Sequence, residues 1–251
     1  MKYLFISILQ LIFLSSCSNS SNSIDDKSMD TAKNTKLGNA NLEEKIKPLN
    51  NVPTVKIGEQ EWMTEDIKTT VYNNGDAIFE AKTENKWVSY GAKKEGCYRK
   101  LDNGTYVYNG FAVNDKRGII PSGFALPSHE QFKKLIHYLG SGDSQTGKAT
   151  RSLATYSIIV EEWVGEGEDG GLEDVKIKSN GKSGFNAKRG GFVYDQGGLG
   201  NEGNCSYWWT SSKIGEGAEV VDIGYCSQDL GGGEGAYSFN FGFAVRGIKS
   251  K

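Results

Sequence analysis

After Gly181 the chain is a succession of short aromatic and apolar runs, each cut off by glycine. That punctuation excludes long helices from this half and leaves short strands joined by turns. Glycine makes up 33 of 251 residues, about one in eight and roughly double average usage. It has no three-residue period, so a collagen-like chain is excluded. The candidate strands are Phe192-Val193-Tyr194, Tyr207 to Thr210, Glu219 to Ile223 and Tyr237 to Arg246. In the last, Phe239, Phe241 and Phe243 alternate with Asn240 and Gly242, the period of an extended strand.

Earlier in the chain the signals are mixed. Val55 to Gly58 alternates as a strand does, Glu61-Trp62-Met63 continues it, and Tyr72 to Asp76 is a turn signal. Ser128 followed by Gln131 reads as a capping box. Phe132, Leu135, Ile136 and Leu139 then recur at helical spacing, ahead of a glycine stop at Gly140. These features predict a helix over Ser128–Leu139 and a shorter one over Lys148–Thr155. Helix signals ahead of a strand-rich end, with no second linker after Val52, predict one α+β domain over residues 52–251.

Charge nearly cancels, with 29 basic and 31 acidic residues, which excludes the basic footprint of a nucleic-acid binder. Met1-Lys2 followed by an apolar run over Tyr3–Leu14 fits a signal peptide, being too short to span a bilayer. Leu14-Ser15-Ser16-Cys17 resembles a bacterial lipobox. The expectation is a signal peptide at residues 1–16 and acylation of Cys17, with palmitate among the chains of the mature anchor. Ser18 following the cysteine resembles sorting to the outer membrane. Residues 18–51 are rich in Ser, Asn, Lys and Asp and read as a flexible tether.

Six blocks in order then resemble one known family. Gln60 to Thr70 is similar to the W-M-x-E-N-L-K-T-T opening of the Fibrobacter succinogenes major paralogous domain. Tyr108 to Asn114 is similar to its Y-N-W-Y-A-V-N block, and Pro121 to Ser128 to its P-x-G-W-H-V-P-S block. Ser183 to Ala187, Tyr207 to Ser212 and Gly242 to Arg246 follow in the same order. The resemblance implies a secreted or lipid-anchored envelope protein with a C-type-lectin-like fold. It also implies a cysteine pair that this chain lacks, since Ile120 and Gly247 occupy those two positions.

Three cysteines remain besides Cys17. Cys205 and Cys226 flank a plausible hairpin and form the candidate disulfide, which leaves Cys97 free; the alternative is three buried thiols. Gly198 to Gly203 matches G-x-G-x-x-G but runs into Tyr207-Trp208-Trp209 instead of a helix, so no dinucleotide site is expected. The two histidines, His129 and His137, show no nucleophile motif beside them. The acidic stretch Glu161 to Asp174 lacks EF-hand spacing and reads as a solvated insertion. No metal, cofactor or catalytic residue is expected.

Trp208 and Trp209 face opposite sides of a strand. With Tyr207 they are the candidate ligand-binding residues, one tryptophan being core and the other either covered or a stacking platform. The glycine loops Gln196–Gly203 and Gln228–Gly235 flank them. The expected function is a non-enzymatic, lipid-anchored surface module that recognises glycan or protein outside the cell, with a structural subunit of an envelope assembly as the alternative.

Overall fold

The alternating residues near position 55 form β1 (Thr54–Ile57), and Gln60–Met63 forms β2, paired antiparallel with Val55 opposite Trp62. The two-residue turn between them needs a left-handed residue, and Gly58 supplies it at φ +61. The computed structural model describes residues 52–140, 158–164, 171–177, 180–224 and 236–250, all within one compact unit. The expected signal peptide, lipidated Cys17, tether and Lys148–Thr155 helix lie outside the described residues.

Three helices occur among the described residues. Thr83 caps α1 (Glu84–Ala92), its hydroxyl accepting from Lys86 N at 3.3 Å. Asn109 caps the short α2 (Gly110–Val113), accepting from Ala112 N at 2.9 Å. The helix announced by the capping box is α3 (His129–Gly140). Ser128 Oγ accepts from Gln131 N at 3.2 Å and Gln131 Oε1 accepts from Ser128 N at 2.8 Å, so both halves of the box are closed. Its apolar stripe buries Phe132 and Leu135.

The remaining strands are β3 (Phe79–Glu80), β4 (Cys97–Lys100), β5 (Tyr106–Asn109), β6 (Phe124–Ala125), β7 (Ile158–Val164), β8 (Gly171–Ile177), β9 (Phe192–Val193), β10 (Leu199–Gly200), β11 (Cys205–Ile214), β12 (Gly217–Gly224), β13 (Tyr237–Ser238), β14 (Gly242–Phe243) and β15 (Ile248–Lys249). They form sheets in the orders β1-β2-β15-β6, β10-β9-β14-β5-β4-β3 and β11-β12-β13, plus the hairpin β7-β8. Only β3 and β4 pair parallel among these strands. The fold is α+β, and the strand signals at Val55 to Gly58 and Glu61 to Met63 form two separate strands, β1 and β2, joined by the Gly58 turn. The hairpin expected after Cys205 is β11-β12, with Trp208 opposite Val221 and a bulge between Trp209 and Lys213.

One expectation fails. Tyr237 to Arg246 is not a single strand: Phe241 N donates to Ser238 O at 3.0 Å, closing a turn between β13 and β14. β13 pairs with β12 whereas β14 pairs with β5 and β9, so the chain changes sheets there. The change requires a close approach at Gly242, where a Cβ would lie 2.5 Å from the Trp87 ring. Alternation could not reveal the turn, because Phe239, Phe241 and Phe243 all still pack into one aromatic cluster.

β11 is buried along both faces from Cys205 to Thr210. Trp208 packs into one core cluster with Phe185 and Phe132. Trp209 packs into another with Phe243, its ring 4.9 Å away, and donates its indole N–H to Tyr108 O at 2.8 Å. Each such ring contributes about 1.5–3 kcal/mol by leaving water. A strand between two cores shows no polar alternation, which is why these positions read as one aromatic run.

Candidate functional site

The burial of β11 corrects the expectation placed on its aromatics. Trp208 and Trp209 are each 1% exposed and Tyr207 is also buried, so none offers a ring face to a ligand. The hydroxyl of Tyr207 is engaged as well, accepting from Asn201 Nδ2 at 2.7 Å. Cys205 is disulfide-bonded; its expected partner, Cys226, lies outside the described residues. Cys97 is a free thiol in the core, and burial pushes its pKa up to about 12. It stays protonated and unreactive at neutral pH.

The glycine motif at Gly198–Gly203 forms β10 and a turn leading into β11, not a helix entry. The loop Gln228–Gly235 lies outside the described residues. The acidic stretch contributes to β7 and β8, where Glu161 stands opposite Asp174 and Glu162 opposite Glu173. Among the described residues no three His, Cys, Asp or Glu side chains converge as a metal site would require. His129 Nδ1 lies 3.0 Å from Glu219 Oε1, beneath the start of α3. His137 is on the exposed side of the same helix.

Among the described residues an open groove lies elsewhere. A cavity of about 1200 Å³ opens between the β1-β2 turn, α3 and the C-terminal strand. Residues Ile57 to Glu61 form one side, and Gln131, Lys133, Lys134, His137 and Tyr138 of α3 form the other. Ile248, Lys249 and Ser250 complete it beside Ala125. Its two sides are tied together: Gln60 Nε2 donates to Gln131 O at 2.9 Å across the mouth of the helix.

Tyr138 is the most exposed large apolar side chain described, at 65%. Its ring rests on the turn glycine, because a Cβ on Gly58 would lie 3.0 Å from the ring. The turn therefore needs glycine twice, once for its φ and once to seat the ring. Lys249 Nζ donates to both carboxylate oxygens of Glu61, at 2.9 and 3.1 Å. That contact, helped by the Thr54 hydroxyl, holds the Glu61 carboxyl below the usual glutamate range. Lys133 faces Glu130 at 3.2 Å on the exposed side of α3.

Sequence reasoning does not find this groove. Gly58, Tyr138 and Lys249 are remote in sequence, and Tyr138 sits off the helix's apolar stripe. The sequence offers one signal, an aromatic inside the predicted helix that falls off its apolar stripe. A second unanticipated feature lies behind it: buried Arg246 donates from Nε to Asp66 Oδ1 at 2.7 Å, and Trp208 Nε1 donates to the same oxygen at 2.7 Å.

Asp66, Trp208 and Arg246 fall within three of the sequence blocks described above, and the fold gathers them into one buried network. The family model of the Fibrobacter succinogenes major domain matches residues 55–249. The chain belongs to this family. As a Fibrobacter succinogenes major domain it covers every described strand from the middle of β1 to β15. No curated protein and no solved structure gives a significant match to the chain.

Proposed function

We propose that this member of the family is a lipid-anchored outer-membrane protein whose domain is a non-enzymatic binding module for glycan or protein outside the cell. The observation that carries the reading is the open groove with Tyr138 presented on its wall. Exposed aromatics over a cleft are costly to leave in water and are used where ligands stack. The lipobox-like Leu14 to Cys17 and the polar tether support an anchor that holds such a groove away from the membrane. The C-type-lectin likeness of the sequence blocks supports the ligand class. No helix among the described residues is long and apolar enough to cross a membrane.

Two measurements test the reading. Cells fed labelled palmitate should incorporate it into the chain and not into the Cys17→Ala variant; no incorporation removes the anchor. Intact cells displaying the full chain should bind members of a glycan and matrix-protein panel saturably, and Tyr138→Ala should weaken that binding. A panel bound equally by the variant removes the groove as the site.

A second reading, a subunit of an envelope assembly, is favoured by β3, an outer strand that leaves Phe79 49% exposed and stacked on Tyr90 at 4.9 Å. Crosslinking of intact envelopes distinguishes it, by trapping the chain in a complex that Phe79→Lys abolishes.

A further inference from the structure

We infer that the ligand of the groove is a neutral oligosaccharide stacked on Tyr138, an inference that rests on the groove being the binding site proposed above. Three features of the groove lead to a sugar. The first is the ring itself. One side of Tyr138 rests against the Gly58 turn, so the 65% that remains exposed lies away from it. A ring backed by main chain is held flat at little entropic cost, and a flat ring suits the C–H face of a pyranose.

The second is the hydrogen-bonding inventory. Glu61 and Lys249 are locked together, so their remaining capacity places an acceptor beside a donor. With Gln60 Nε2 engaged by Gln131 O and Gln131 Oε1 by Ser128 N, Gln60 adds its amide oxygen as an acceptor and Gln131 its amide nitrogen as a donor. A sugar hydroxyl donates and accepts at once, and a wall that mixes both kinds matches it. An apolar peptide would ask for aliphatic pockets instead. Of the exposed large apolar side chains described, only Tyr138 lines the groove.

The third is charge and size. Lys133, Lys134 and Lys249 are set against Glu59 and Glu61, and two of the three lysines already face carboxylates. The field over the groove is close to balanced, whereas phosphates and uronates are drawn by uncompensated cations. At about 1200 Å³ the groove exceeds the usual range of roughly 300–1,000 Å³ for small-molecule pockets. It has room for several linked rings.

The test uses the full chain in detergent, with cellohexaose, xylohexaose and maltohexaose as neutral probes. Hexagalacturonate and hexaglutamate serve as anionic probes. The inference expects saturable binding of at least one neutral probe, with magnetisation transfer strongest to its ring C–H protons. Affinity should change less than about twofold between roughly 20 and 500 mM salt, because no ion pair is made with the ligand. Tyr138→Ala should weaken binding by about fivefold to tenfold, and Tyr138→Phe should restore it.

Three blank neutral probes overturn the inference. So does an anionic probe that binds more tightly than all of them and is released by salt; if Tyr138→Ala weakens that binding too, the groove stands and only the ligand class falls. Neutral binding that ignores Tyr138→Ala overturns both the inference and the site. Because Tyr138 is exposed, Tyr138→Ala should keep the parent circular dichroism spectrum, which makes its affinity interpretable.

Discussion

Asp66 receives two donors on one oxygen, the Arg246 guanidinium and the Trp208 indole, each at 2.7 Å. Arg246 is 1% exposed and its Cζ lies 4.1 Å from the centre of the Phe185 ring. Removing one partner of a buried pair leaves the other charge uncompensated, at a cost of about 3–5 kcal/mol. Asp66→Ala should lower the unfolding free energy by that amount in denaturant titrations. Asp66→Asn keeps an acceptor oxygen but leaves the Arg246 charge uncompensated, so it should lose nearly as much; a clearly smaller loss would show that the hydrogen bonds, not the carboxylate charge, are what Arg246 requires. Arg117 makes a different kind of pair nearer the surface. It grips Asp115 through two nitrogens at 2.9 and 2.7 Å, reaches Asp76 at 3.0 Å and lies 3.8 Å over the Tyr72 ring. The guanidinium holds the Asp115 carboxyl below the usual aspartate range. A folded-state value that is depressed gives stability above the unfolded value of about 3.9, lost as pH falls through the folded one. Arg117→Ala should therefore be less stable than the parent at pH 7, and the gap should narrow below about pH 4. A gap that stays constant with pH would assign the effect to the ring contact. The Asp66 pairing was not legible in sequence: Asp66 and Arg246 are 180 positions apart, and only the fold makes them neighbours.

Elements were legible where their signals are local. The capping box fixed the start of α3, and its stripe chose the face that meets Trp62 and Trp208. The β11-β12 hairpin followed from β-forming runs on either side of Gly215. α1 was missed because Trp87 and Gly91 are its only fully buried residues, too few to make a periodic pattern. The turn between β13 and β14 was missed because long-range pairing to two different sheets overrides alternation. The β7-β8 hairpin carries its own signature in register. Glu162 stands directly opposite Glu173, and Glu161 opposite Asp174; like charges so placed are destabilising. Glu162→Lys puts opposite charges across the pair and should stabilise the hairpin by about 0.2–1 kcal/mol. Slower amide hydrogen exchange over Ile158–Val164 would show it, and unchanged exchange would mean the hairpin's stability is set elsewhere.

At the scale of the whole molecule, the last strand lies inside the first sheet. β15 sits between β2 and β6, with Ile248 opposite both Trp62 and Ala125. Just before it, Met63 N donates to Gly247 O at 3.0 Å and Ile67 N to Val245 O at 2.9 Å. Deleting residues 247–251 should separate β6 from the β1-β2 hairpin and open one wall of the groove. The expected result is loss of a cooperative thermal transition, and a truncated chain melting like the parent would refute that role for β15. The groove itself was invisible in sequence for the same topological reason, since its walls come from the β1-β2 turn, from β15 and from the helix between. The placement of β15 also sets an order of events in folding. The β1-β2 hairpin and β6 share no ladder until β15 lies between them, so this sheet closes late however early its first two strands pair.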